Sequence, residues 1–265
     1  MSGIALSVAG TSFQATLRNP LVSPYILGLS QGAAFGAALA IIILPYHPYI
    51  LPVAAFIFGT LAVLLTSSVA RIHGEFSTIT IILGGIIIGA VFTALLSIIK
   101  LVADPYRIAS VVFWTLGGLH RASWQSIFIA APGLIIGLPI LFVIRWRLNL
   151  LSMGDEEAKL LGVNVRRDRI IIVIVSTLIC ASVIAVSGII GWIGLIVPHM
   201  VRSIIGPDNK YLIPASAAFG ASLMLITDTL CRTLFTFEIP ISIITTLIAA
   251  PYFIYLLKKI GGGWQ

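Results

Sequence analysis

Charge is what this sequence has least of. Asp, Glu, Lys and Arg together make up 9% of its 265 residues, against 59% hydrophobic ones, whereas soluble domains carry roughly a quarter charged residues. An ordinary soluble domain is thereby excluded. With a mean hydropathy of +1.11, the sequence predicts an all-α, polytopic membrane bundle forming a single domain over residues 1–265. The net charge of +7 would suggest nucleic acid in a soluble chain. Here the basic residues fall at the ends of apolar runs, so anionic lipid and topology account for them and no nucleic-acid partner is expected.

Cysteine and catalytic motifs are equally scarce. Cys180 and Cys231 are the only cysteines, both in apolar segments without metal-ligating neighbours, so neither a disulfide framework nor a metal site is expected. No Gly-Lys-Ser/Thr phosphate loop, His-Glu-x-x-His or Gly-x-Ser-x-Gly is present, and His47, His73, His120 and His199 are scattered. The chain should neither hydrolyse nucleotide nor carry catalytic residues or a cofactor. Acids within apolar runs are costly and therefore functional suspects. Only Asp228 lies well inside one, and Arg232 one turn later offers it an i,i+4 partner. No basic n-region precedes a short apolar core, so no signal peptide is read.

What the sequence does have is long apolar runs. Those able to cross a bilayer of about 30 Å are Pro24–Leu44, Ile50–Ala70, Thr78–Ile99, Gln125–Ile144, Ile170–Gly188, Tyr211–Leu230 and Pro240–Leu257, with a shorter piece at Gly191–Ile205 and a weaker one at Met1–Leu17. Ile108–Leu119 is too short and is read as a partial helix outside the membrane. Pro198 with His199 is read as an interruption of its span, the kind of break tolerated beside protein or a water-filled cavity. His199 itself reads as an interface histidine. Small residues four apart (Gly28, Gly32, Gly36; Gly85, Gly89; Gly133, Gly137; Ser216, Gly220) predict close helix crossings.

The polar interval 145–169 contains one short helix signal, Ser152 to Gly162. Ser152 is placed to cap it, Asp155, Glu156 and Glu157 suit its positive start, and Gly162 suits a left-handed stop. Leu160 and Leu161 leave an apolar tip, read either as a knob for a partner protein or as an element lying on lipid. If this interval is cytoplasmic, all of the 16 Lys and Arg except Lys100, Arg107, Arg121 and Arg232 lie inside, as the positive-inside bias requires. The C-terminus is then cytoplasmic and Met1 outside, from which an upstream span is expected.

These residues resemble the permease subunits of ATP-binding-cassette importers for iron chelates, haem, cobalamin and oxyanions such as molybdate, the FecCD or cobalamin type. The similar stretches are Asn19-Pro20-Leu21 with Pro24 and Leu27-Gly28, Gly154 to Gly162, and Gly188 to His199 with Arg202. Trp114 with Gly117-Gly118, Asp228 with Arg232, Glu238-Ile239-Pro240, Ala250-Pro251 and Phe253 also match. The resemblance implies ten spans per subunit in the prokaryotic inner membrane, the first of them absent from this sequence. It implies a second permease subunit, here a homodimer, two ATPase subunits and an extracytoplasmic binding protein.

By the same resemblance Gly154, Asp155, Glu156, Ala158, Leu160, Leu161 and Gly162 form the ATPase-coupling helix and its turn, with Val163–Arg169 as a second short helix. Asn19, Leu21, Ser77 and Thr78 form the cytoplasmic gate. Thr78–Ile99 and Pro240–Leu257 line the path, and Arg232 receives the binding protein. Two readings from the residues stay beside it: an ion-coupled secondary carrier, disfavoured by the scarcity of membrane acids, and an intramembrane enzyme, disfavoured by the absence of a paired constellation.

Overall fold

The computed structural model describes residues 1–260 except 46, 73, 74, 77, 121 and 235–238. His73, Ser77, Arg121 and Glu238 thus lie outside the described residues. Among the described residues eleven α-helices follow one another: α1 Ser2–Leu17, α2 Leu29–Ile42, α3 Ile50–Val69, α4 Thr78–Leu101, α5 Pro105–Thr115, α6 Trp124–Met153, α7 Asp155–Leu160, α8 Val165–Ser187, α9 Ile193–Ile205, α10 Asn209–Thr233 and α11 Ile241–Ile260. A 3-10 turn, Pro24–Leu27, precedes α2, and two-residue strands, β1 Arg71–Ile72 and β2 Glu75–Phe76, pair antiparallel before α4. Among the described residues five helices (α3, α4, α6, α8, α10) are long and apolar enough to cross a membrane.

Met1–Leu17, the weakest apolar run, is the axis of the bundle. All of α1 except Ser2 and Ile4 is buried, and it packs against α6, α8, α9 and α10. Three of its buried polar residues, Ser7, Thr11 and Ser12, donate to the carbonyls of Gly3, Ser7 and Val8, one turn back, leaving those hydroxyls satisfied within the helix. Small residues then let backbone meet backbone. A Cβ at Gly3 would lie 2.0 Å from the Gly220 carbonyl oxygen, and one at Gly10 1.8 Å from that of Gly194. The predicted glycine crossings appear likewise between α2 and α3, where Gly32 and Gly36 face the Phe58 and Ala54 carbonyls, and between α6 and α8, where Gly133 faces Ser182.

Three boundaries differ from expectation. Pro24–Leu44 is not one span: Gly28, at φ 79°, separates the 3-10 turn from a 14-residue α2. Helix α6 does not stop at Ile144 but runs 30 residues to Met153, roughly 45 Å at 1.5 Å per residue. Its final turns therefore leave the hydrocarbon layer as helix. And Pro198 does not interrupt α9, which is continuous from Ile193 to Ile205.

The interruption lies earlier, at 188–192, where Gly188 and Trp192 take φ of 68° and 72°. Tyr25 Oη donates to the Ile190 carbonyl at 2.6 Å and Ser242 Oγ to that of Ile189 at 2.7 Å. Irregular backbone at this depth is tolerated because side chains from neighbouring elements satisfy it. Proline at 198 cannot donate to the Gly194 carbonyl one turn back. That carbonyl points at Gly10, where only hydrogens stand, so the vacant bond costs no collision.

Candidate functional site

Helix α7 hangs from the long rod of α6 through a single residue. Gly154 has φ 148° and ψ 158°, a conformation that side chains disfavour and glycine does not, and it both ends α6 and caps α7. The expected Ser152 cap is not made. Ser152 lies in the last turns of α6, its hydroxyl donating to the Asn149 carbonyl at 2.7 Å. Because α6 continues past the apolar run, Ser152 is spent inside it.

The three acids do occupy the first turn of α7, where a helix start favours negative charge. Gly162, at φ 82°, makes the expected left-handed stop, with its own amide bonded to the Lys159 carbonyl and that of Val163 to Ala158. The expected second short helix, Val163–Arg169, is instead the first turns of α8. Asn164 caps that helix, its Oδ1 accepting from the Arg167 amide at 3.0 Å. Asn followed by helix-permissive residues is the usual signal of such a cap.

Anchoring and display divide the residues of α7 cleanly. Ala158 is fully buried against the bundle, whereas Leu160 is 87% and Leu161 58% exposed. Glu156 and Gly162 are also exposed. Asp155 is the polar anchor. Its two carboxylate oxygens accept from Arg169 at 2.9 and 3.3 Å, and Oδ1 also meets Arg18 Nη2 at 3.3 Å. Beside it, Arg147 of α6 donates to Asp168 of α8 at 2.9 Å.

Arg18 caps α1 in the left-handed region, φ 50°, and Asn19 follows with its Oδ1 accepting from the Leu21 amide at 2.9 Å. Asn19 and exposed Leu21 therefore sit at the α7 end of the bundle, joined to α7 through Arg18. Thr78 opens α4 at the same end, since Ile81 and Arg169 line one crevice. The structure thus places Asn19 and Leu21 directly after Arg18, which pairs with Asp155 of α7, and Thr78 at the same end of the bundle.

Asn149, on the protruding end of α6, fixes the start of α10 as well. Its Nδ2 donates to Asp208 Oδ1 at 2.6 Å and its Oδ1 accepts from the Asn209 amide at 2.7 Å. That donation first, and the Lys210 amide second, hold the Asp208 carboxyl below its usual range.

Arg232 lies at the opposite end, because α10 begins at the α7 end and spans 25 residues, about 37 Å. It forms the i,i+4 pair expected of it, Nε to Asp228 Oδ2 at 2.9 Å, and Nη2 donates to the Leu119 carbonyl at 3.0 Å. Both side chains border a cavity of about 310 Å³ shared with Met1, Gly118 and Ser126. His199 donates to or accepts from Tyr252 Oη at 3.1 Å, joining α9 to α11, an interface role as read from the sequence. Among the described residues no cluster of His, Cys, Asp or Glu suits a metal ion.

A molybdate import permease of Haemophilus influenzae is 37% identical over 98% of this chain and 77% of its own length. A hemin transport permease of Yersinia pestis is 39% identical over 97% of this chain and 78% of its own. A solved structure described as a metal-chelate type ABC transporter in an inward-facing conformation superposes with TM-score 0.90 at 36% identity, covering 97% of this chain and 82% of that one. The model of the FecCD transport family matches residues 1–259, and the chain belongs to that family.

Proposed function

We propose that the chain is the membrane-spanning subunit of a binding-protein-dependent, ATP-driven importer for a metal chelate or oxyanion. It hydrolyses nothing itself. A homodimer in a prokaryotic inner membrane would bind two copies of a separate ATPase on the α7 side, taken as cytoplasmic with the C-terminus. The exposed faces of α4 and α11, with Leu83, Ile87 and Val91 on one and Ile243 and Leu247 on the other, would enclose the path with those of the second copy. A binding protein would deliver cargo at the Arg232 end.

The observation that carries this reading is the apolar tip of α7, displayed on a helix held by a buried alanine and a doubly paired carboxylate. An element merely resting on lipid has no need of such fixed orientation. A charge placed in a desolvated apolar contact is strongly unfavourable. Leu160→Asp and Leu161→Asp are each expected to abolish co-purification of the cognate ATPase while leaving the melting temperature of the permease unchanged in detergent. Normal co-purification by both variants would refute the reading. The cargo class is settled by identifying the small molecule that raises the melting temperature of the cognate binding protein.

A further inference from the structure

A coupling element is useful only if something conducts its motion. Among the described residues, one carboxylate links α7 to the residue that ends α1. Asp155 is gripped from two elements that have no other reason to share a charge: Arg169 of α8 and Arg18, the residue that ends α1 and precedes Asn19. The two arms differ in kind. Arg169 is 4% exposed and bonds both carboxylate oxygens, a bidentate contact that fixes orientation. Arg18 is 42% exposed and reaches one oxygen at 3.3 Å, a contact that can lengthen or break as helices shift. The adjacent Arg147–Asp168 pair ties α6 to α8, so that α6, α7 and the start of α8 form one charged frame.

We propose that Asp155 is a positioning residue that passes displacement of α7 to the Asn19–Leu21 gate loop through Arg18, with Arg169 as the fixed side of the clamp. This rests on the readings of α7 as the coupling helix and of Asn19 and Leu21 as part of the cytoplasmic gate. Arg18 ends its own helix in a left-handed conformation, so a pull on its side chain acts on the backbone that sets the direction of the loop. The Asn19–Leu21 bond then carries the loop as a unit.

The test uses spin labels on the permease assembled with its cognate ATPase, buried Cys180 and Cys231 having been replaced by alanine. A label at Glu156→Cys reports α7, and one at Leu21→Cys reports the gate loop; each is read without nucleotide and with ATP plus vanadate. In the parent both labels should respond. In Arg18→Gln, which leaves the Arg169 arm of the clamp in place, the α7 label should still respond while the response at Leu21 falls about five-fold or more, the lower range of site-to-site coupling. Arg18→Lys, which keeps the charge, should restore most of it. A merely structural loss would diminish both labels together. A gate response equal to the parent's in Arg18→Gln overturns the proposal. If the α7 label is silent to nucleotide in the parent, it is the coupling reading that falls, and the clamp with it.

Discussion

Gly10 and Gly154 show two different demands made on the same residue type. At Gly10 the constraint is space: any Cβ would stand 1.8 Å from the backbone oxygen of Gly194, and backbone cannot step aside as a side chain tip can. Gly10→Ala is therefore expected to cost about 3 kcal/mol or more, the upper range for overpacked interiors, seen as loss of monodisperse protein on detergent chromatography. At Gly154 the constraint is torsional, and the displaced neighbour would be only the flexible end of Glu157. Small residues at helical spacing were readable as crossings in the sequence, but which glycine faces which carbonyl was not, because that depends on three-dimensional register. Ser152 is ambiguous in the sequence for a related reason. A serine before acids looks the same whether the preceding helix has ended or not.

Helix ends were the least legible elements, and α6 explains why. Hydropathy reports where the membrane stops, at about Ile144, whereas a helix stops where backbone geometry forces it to, at Gly154. The intervening turns carry Arg147 and Asn149, whose partners Asp168 and Asp208 lie 21 and 59 residues away, beyond any local pattern. Asn149→Leu should loosen the join between α6 and α10 by about 1–3 kcal/mol, since it strands the Asn209 donors. It should also change the acid response. A carboxyl depressed on folding contributes stability that is present above the unfolded value near 4 and lost as pH falls through the folded one. The parent's melting temperature should therefore decline as pH drops below about 4 in part through Asp208, and Asn149→Leu should lack that component. Detergent melts from pH 3 to 6 would check it.

At the scale of the molecule, the two ends are chemically unlike. One carries α7, the Arg18–Asp155–Arg169 cluster and the Asn149 join. The other carries α5, the Gly117 turn and the Asp228–Arg232 pair, whose arginine remains half exposed although two of its nitrogens are engaged. Charge at an interface rim governs encounter more than final affinity. Arg232→Glu is expected to weaken docking of the cognate binding protein several-fold at low salt and much less at high salt, as surface plasmon resonance would register. Class and architecture were legible because they rest on composition and on residues adjacent in sequence, such as Gly154 to Gly162. The clamp at Asp155 was not, because its arginines come from positions 18 and 169.

The contacts of α1 at Gly3 and Gly10 have a mechanical consequence. They fasten the central helix to Gly220 and Gly194 at two heights, roughly 10 Å apart along the axis at 1.5 Å per residue. A shaft pinned twice on bare backbone can rock but cannot spin, since rotation would drive the flanking side chains into carbonyl oxygens. The outer helices are left free to tilt about a spindle that keeps its azimuth.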